Sequence, residues 1–286
     1  MARHRVSLFT IFGFDIGVDL SWVVLAVLVT VSLATGIFPR NYPELGRTAH
    51  WFMGVVGAVL LFASIVFHEF WHSLVARRYG LPMRGITLFL FGGIAELSEE
   101  PKEAKVELLT AIAGPAASVV LGGILYGLYQ LGGATGWPTA VVGVLGYLAF
   151  VNWILAAFNL LPAFPLDGGR VLRSLLWKWR DDLYWSTRIA ARIGGGFGLV
   201  LMLWGALTLI GGNLIGGIWF FFIGLFLRGA AQAAYQQVLV RRASGDRTVA
   251  DFLRRDPVTV PPSLTLRRFV DEYVYRYHTG TFPVVR

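Results

Sequence analysis

The sequence has no cysteine, only 5 histidines, and charged residues at just 15% of its 286 positions. Without cysteine there is no disulfide and no thiolate ligand, so thiols say nothing about the redox compartment, and any metal must be held by histidine and carboxylate. The scarcity of charge, set against 56% hydrophobic residues and a mean hydropathy of +0.62, excludes an ordinary soluble domain and places most of the chain in a bilayer. No repeat with a period of tens of residues is present, and no low-complexity tract. The first long apolar run begins near Val18 and lacks a small-residue cleavage site, so it is expected to be a retained span and not a removed signal peptide.

A hydrocarbon core about 30 Å thick needs on the order of 20 apolar helical residues. Six stretches qualify: Leu20 to Phe38, Phe52 to Val75, Val106 to Leu131, Pro138 to Leu161, Ile189 to Ile210 and Leu214 to Ala234. An even number of spans puts both termini on one side. With that side cytoplasmic, Arg40 and Arg47 are the outer basic residues, and all the others of the 25 Lys and Arg lie in inner loops, inner helix ends or the tail. Arg77, Arg78 and Arg84 follow the second span, Arg170, Arg173, Lys178 and Arg180 the fourth, and Arg241 and Arg242 the sixth. This is a positive-inside pattern, so the net charge of +8 is topological and nucleic acid is not an expected partner. The expected location is the plasma membrane, multi-pass, with both termini cytoplasmic.

Between the second and third spans, Met83 to Leu97 is too short to cross as a helix and rich in strand-favouring residues. A re-entrant β-hairpin against a wet cavity fits it, the alternative being a cytoplasmic hairpin on the headgroups. Residues 241–247, beginning Arg-Arg-Ala-Ser-Gly-Asp, read as a linker, and 248–286 as a cytosolic α/β tail too short to bury a core alone. The expected fold is therefore an all-α membrane protein of six transmembrane helices, with the hairpin and the incomplete tail added.

The second span contains Phe67-His68-Glu69-Phe70-Trp71-His72. Residues four apart on a helix are displaced by only about 40°, so His68 and His72 face one way and can share a metal. Glu69 is rotated by about 100° from His68, which lets its carboxylate act as a base on the hydrolytic water without being a ligand. The alternative, a pair of hydrogen-bonded core histidines, conflicts with the cost of an ionisable cluster inside a span. By helical rise, His68 lies about 10 Å inside the cytoplasmic end of its span.

A catalytic zinc usually keeps three protein ligands. His4 and His50 lie at or beyond helix ends and His278 in the tail, which leaves the carboxylates near spans: Glu96, Glu107 and Asp167. Asp167 stands out within Asn159-Leu-Leu-Pro-Ala-Phe-Pro-Leu-Asp-Gly-Gly-Arg170, where two prolines unwind the chain and Gly168 and Gly169 permit a tight turn. Its alternative role is to cap a following amphipathic helix, Val171 to Trp179. Glu107 reads as a helix-face carboxylate near Lys102 and Lys105, Glu96 as interfacial, and Asp15 and Asp19 as belonging to the start of the first helix.

These two motifs, in this order in separate spans and joined by Ala113-Gly-Pro115 in the third, resemble the site-2 protease family of intramembrane zinc metalloproteases across nearly all of residues 1 to 240. The resemblance implies His68, His72 and Asp167 as ligands of one Zn²⁺ and Glu69 as the catalytic acid and base. It also implies that Asn159 contacts substrate or the developing oxyanion, the alternative being an interhelical amide. Ser118 departs from the asparagine that members often carry after Ala-Gly-Pro. The tail, from Thr248 through Pro257-Val-Thr-Val-Pro to Phe282-Pro-Val-Val, resembles the first part of a cystathionine-beta-synthase-type domain, a regulatory module in some members. The chain stops before one copy is complete, so truncation of a longer protein is expected, and adenine-nucleotide sensing is not.

The expected activity is hydrolysis of peptide bonds in single-span membrane proteins. A substrate helix must first be extended, and Gly92 and Gly93 would let it pair as an added strand, unless they only make a turn. Gly194-Gly-Gly-Phe-Gly198 in the fifth span offers close packing or a gate. The competing classes are an intramembrane metal transporter or sensor, which needs several ligand sets along a path, and a catalytically silent membrane chaperone, which usually loses Glu69 or a ligand. The sequence does not fix the oligomeric state.

Overall fold

The computed structural model describes residues 5–11, 13–81, 83–89, 92–97, 101–244, 248, 251, 257–277 and 280–285. The apolar runs form helices because a bilayer offers backbone N–H and C=O groups no other partner. Six helical stretches are long and apolar enough to span: Trp22–Asn41, Arg47–Arg78, Ala104–Thr135, Thr139–Asn159, Leu183–Ile210 and Leu214–Val240. The first is composite, with α1 (Leu20–Ser32) running through a wider π turn (Leu33–Ile37) into α2 (Phe38–Asn41), where Pro39 is tolerated because it falls in the first turn. The others are α3 (Arg47–Arg78), α4 (Ala104–Thr135), α5 (Thr139–Asn159), α7 (Leu183–Ile210) and α8 (Leu214–Ser244), and the amphipathic α6 (Asp167–Arg180) lies between α5 and α7. α8 continues to Ser244, into the stretch expected to be a linker, while 245–247 fall outside the described residues.

The β structure is larger than the hairpin expected from the sequence. β1 (Arg5–Ile11) and β2 (Phe14–Asp19) form an antiparallel hairpin, β3 (Met83–Phe89) and β4 (Gly92–Leu97) form another, and β2 joins β3 in parallel to give a four-stranded sheet in the order β1-β2-β3-β4. Asp15 and Asp19 are therefore strand residues, Asp15 opposite Gly85 and Asp19 opposite Arg5. The sequence conceals this because β1 and β2 run directly into the first apolar span. Phe14, Ile16 and Val18 are buried on β2, and Phe14 meets Phe70 of α3 edge-on at 5.9 Å. The sheet thereby rests against the turn of α3 that carries the His-Glu-x-x-His motif.

One apolar core joins the π turn, α2, α3 and α5 through Leu33, Phe38, Met53, Phe62, Val144 and Leu148. A smaller one joins the loop after α5 to α7 and α8 through Phe164, Ala190 and Ala231. The chain divides into two units, Met1–Leu239 and Val240–Arg286. The second holds a parallel bridge between Val260 and Val284 and a short helix, Leu266–Phe269, continuing through a wide turn to Tyr275–Tyr277.

Candidate metal centre

α3 places His68 and His72 one turn apart, both buried, with their rings 4.8 Å apart between centroids. The loop after α5 delivers Asp167 as the first residue of α6. His68 Nε2, His72 Nε2 and Asp167 Oδ2 form a triangle in which each separation is 3.1 Å. His72 Nδ1 stands 2.6 Å from the carbonyl oxygen of Thr110, which can only accept, so Nδ1 carries the proton and Nε2 presents a bare lone pair. His68 Nδ1 stands 2.9 Å from Ser118 Oγ, which can orient the second ring in the same way.

Three potential electron-pair donors thus converge on one point, where a cation could take a lone pair from each. Donors spaced this way can each lie about 2.0–2.1 Å from a single ion, the range zinc takes with imidazole and carboxylate. Among the described residues this is the one group of three His, Cys, Asp or Glu side chains placed to hold a metal.

The helix start also disposes of the capping role considered for Asp167. The N-cap of α6 is Leu166, no side chain caps it, and the Asp167 carboxylate is directed at the histidines. Gly168 and Gly169 are not turn residues as expected but part of the first helical turn. The loop carbonyls of Leu160 and Leu161 lie where a Gly168 Cβ would be, and Phe164 N lies 2.5 Å from where a Gly169 Cβ would be. Gly114 of α4 has the same logic, because a Cβ there would run into the Nε2 atoms of both histidines. The Ala113-Gly-Pro115 stretch supplies that gap.

Glu69, half-buried, lies within electrostatic reach of His72, His68, Asp167 and Arg170. Arg170 follows Asp167 by one turn of α6 and was read from sequence only as a topological charge. Arg173 shared that reading, and Glu107 was read as a helix-face carboxylate near lysines; both are corrected by the structure. Glu107 is fully buried, and its Oε1 accepts from Arg173 Nε at 2.7 Å and from Arg173 Nη2, with the guanidinium 5.2 Å over the Phe164 ring. This pair ties α4, which carries Thr110 and Gly114, to α6, which carries Asp167.

Asn159, the last residue of α5, stands outside the triad, its Nδ2 donating to Leu155 O at 2.9 Å within its own helix. It is not the interhelical amide considered from sequence. A different amide has that role: the fully buried Asn152 donates to Ser64 Oγ on α3 at 3.1 Å. Gly92 and Gly93 lie on β4, at the edge of the sheet order, opposite Phe89 and Leu88. Gly194 and Gly198 are packing residues, since Cβ atoms there would meet Phe164 N at 2.7 Å and Gly224 O at 2.6 Å. Glu96 is described only as a strand residue of β4, and His50 is buried with its Nε2 2.9 Å from Tyr42 O. His4 and His278 lie outside the described residues.

A buried His-His-carboxylate cluster with an adjacent glutamate, set in a bundle of membrane-spanning helices, defines a membrane-embedded metallopeptidase. The family model of Peptidase family M50 matches residues 56–135 and 134–203. Rip3 of Mycobacterium tuberculosis is 36% identical over 282 residues, spanning 99% of this chain and 72% of Rip3. Zinc metalloprotease MJ0392 of Methanocaldococcus jannaschii is 32% identical over 286 residues, spanning 99% of this chain and 76% of that protein. Among solved structures, the site-2 protease from Methanocaldococcus jannaschii superimposes with a TM-score of 0.54 at 30% identity, covering 81% of this chain and 95% of that one. The chain belongs to Peptidase family M50 and is a multi-pass zinc metalloendopeptidase of the site-2 type.

Proposed function

We propose that His68, His72 and Asp167 hold the zinc, that Glu69 is its acid and base, and that the substrate is a single-span membrane protein hydrolysed after local unwinding. The observation that carries the ligand assignment is the 3.1 Å triangle of donors, with the far nitrogen of His72 committed to a carbonyl. Zinc held there supplies Lewis acidity and lowers the pKa of water toward about 7. The Glu69 carboxylate takes the proton from the attacking water and returns it to the leaving amide nitrogen. Asp167, in the first turn of α6, is steadied by the helix N-terminus as well as by the histidines. Asn159, beside the loop that bears Asp167, is retained as the candidate contact to substrate.

The extended substrate pairs with β4. Support comes from the position of β4 at the end of the sheet and its packing against α3, the helix that carries His68 and His72. On this reading β3 and β4 form a re-entrant hairpin facing the site's wet cavity. The basic residues at the end of α3 and along α6 support a cytoplasmic placement of that side of the protein, with both termini there and a plasma-membrane location. The tail unit is read as the opening part of a cystathionine-beta-synthase-type module for which adenine nucleotide is not an expected ligand of this chain.

Among the described residues a second metal group, which transport along a path requires, does not occur, and Glu69 with all three proposed ligands is present, unlike the usual silent relative. Zinc content of single variants tests the ligand set. His68→Ala, His72→Ala and Asp167→Ala are each expected to lose stoichiometric zinc while Glu69→Gln keeps it. Full zinc in Asp167→Ala would remove Asp167 from the set.

A further inference from the structure

α7 and α8 enclose a groove of about 430 Å³ that takes no part in the metal site. Its lining from α7 is Arg188 and Arg192, then Gly195 and Gly196, and from α8 it is Arg228, Gln232 and Tyr235. The spacings put each set on one helix face: Arg188 and Arg192 are four apart, and Arg228, Gln232 and Tyr235 follow at four and seven. The groove exists because of glycine. Gly198 and Gly224 bring the two backbones together, a Gly198 Cβ falling 2.6 Å from Gly224 O and 2.9 Å from Arg228 N. At Gly195 and Gly196 nothing lies within 4 Å of a Cβ, so the space stays open. The Tyr184 and Tyr235 hydroxyls meet at 2.8 Å across the same pair of helices.

Neither α7 nor α8 contains an aspartate or glutamate. The nearest acid in sequence, Asp182, is occupied in capping Trp185 N at 2.8 Å. Among the described residues no side chain bonds the three arginines. Arg192 and Arg228, counted from sequence among the inner helix ends, lie within the span-length helices Leu183–Ile210 and Leu214–Val240, which corrects that count; by helical rise Arg228 is about 18 Å from Val240. Uncompensated arginines there are costly unless an anion meets them.

We propose that this groove is a binding site for an anionic phospholipid, its phosphate held by Arg188, Arg192 and Arg228 and its glycerol by Gln232 and Tyr235. A lipid is the occupant because the walls are membrane-spanning helices and the α7 face continues past the arginines to Leu199, where an acyl chain lies along apolar surface. A soluble anion would use only the charged half. Basic grooves between membrane helices are the general form of such sites.

The test is retention of dioleoyl phosphatidylglycerol by the detergent-purified full chain, measured by native mass spectrometry, with dioleoyl phosphatidylcholine and inorganic phosphate as comparison arms. The wild type is expected to retain phosphatidylglycerol over phosphatidylcholine. The triple variant Arg188→Gln, Arg192→Gln, Arg228→Gln should weaken it about a hundredfold, about fivefold for each arginine. Gly195→Leu keeps every arginine and fills open space, so it should abolish retention with the fold intact, and it decides the matter if the triple variant misfolds. Replacing Arg267, Arg268 and Arg276 of the tail by Gln removes the same charge elsewhere and should change nothing. Undiminished binding in Gly195→Leu, equal loss in the tail variant, or displacement of the lipid by an equal concentration of inorganic phosphate would each overturn the proposal.

Discussion

Replacing Arg173 by methionine leaves the Glu107 carboxylate, which has no solvent exposure, without the guanidinium that satisfies its Oε1. Its Oε2 already has no partner among the described atoms, so nothing nearby takes over. Removing one member of a buried ion pair typically costs about 3–5 kcal/mol, because the remaining charge stays desolvated and uncompensated. Replacing both members by apolar residues of similar volume removes the charge as well, so Glu107→Leu with Arg173→Met should recover most of the loss, to within about 1–2 kcal/mol of wild type. Reversible unfolding in mixed micelles gives the four free energies of the cycle, and zinc content gives a second readout. α6 carries both Arg173 and Asp167, and α4 carries both Glu107 and Thr110, whose carbonyl fixes His72. Arg173→Met should therefore lose zinc affinity as well as stability, and the double variant should recover stability more than zinc. A single variant costing under about 1 kcal/mol, the value of an exposed pair, would refute the reasoning, as would a double variant no more stable than the single.

Gly114→Ala should abolish zinc retention while circular dichroism stays helical, because its methyl group would occupy the space of both Nε2 atoms; normal zinc content would show that α4 is not seated as described. Ser118→Ala removes the partner of His68 Nδ1 and should weaken zinc about 10–100-fold in a competitive chelator titration, whereas Ser118→Thr should retain most of the affinity. Because the chain has no cysteine, Gly93→Cys gives a clean background for disulfide trapping. It should capture a substrate bearing one cysteine near its scissile bond if β4 accepts an added strand, and failure to capture any position along the substrate would remove that docking mode.

What could be read from the sequence was local or carried by motif. His68, Glu69 and His72 are legible because a helix converts a four-residue spacing into a shared face. Asp167 is legible because its prolines and glycines mark an interrupted helix, even though the glycines turned out to serve close approach and not a turn. Thr110 has no signature of its own, and Gly114 and Ser118 stood out only within the family resemblance and not for what they touch, since each acts by lying across a helix interface from an imidazole. Glu107 was misread because its lysine neighbours in sequence suggested a solvated face, while its partner Arg173 lies on another element. Arg173 was absorbed into a count of basic residues at helix ends, which cannot tell a topological arginine from one paired with a buried carboxylate. The local hairpin of β1 and β2 was missed because β2 runs directly into the first apolar span, and the pairing of β2 with β3 was missed because β3 follows only after the first two membrane spans, a non-local contact that leaves no periodic trace.

The central claim is that this chain hydrolyses peptide bonds with one zinc and with Glu69 as proton carrier. The direct measurement is cleavage of a reconstituted single-span substrate by wild type and by Glu69→Gln, with zinc content determined on the same preparations. The account predicts cleavage by wild type alone, with equal zinc in both proteins. Equal cleavage by zinc-loaded Glu69→Gln would contradict it.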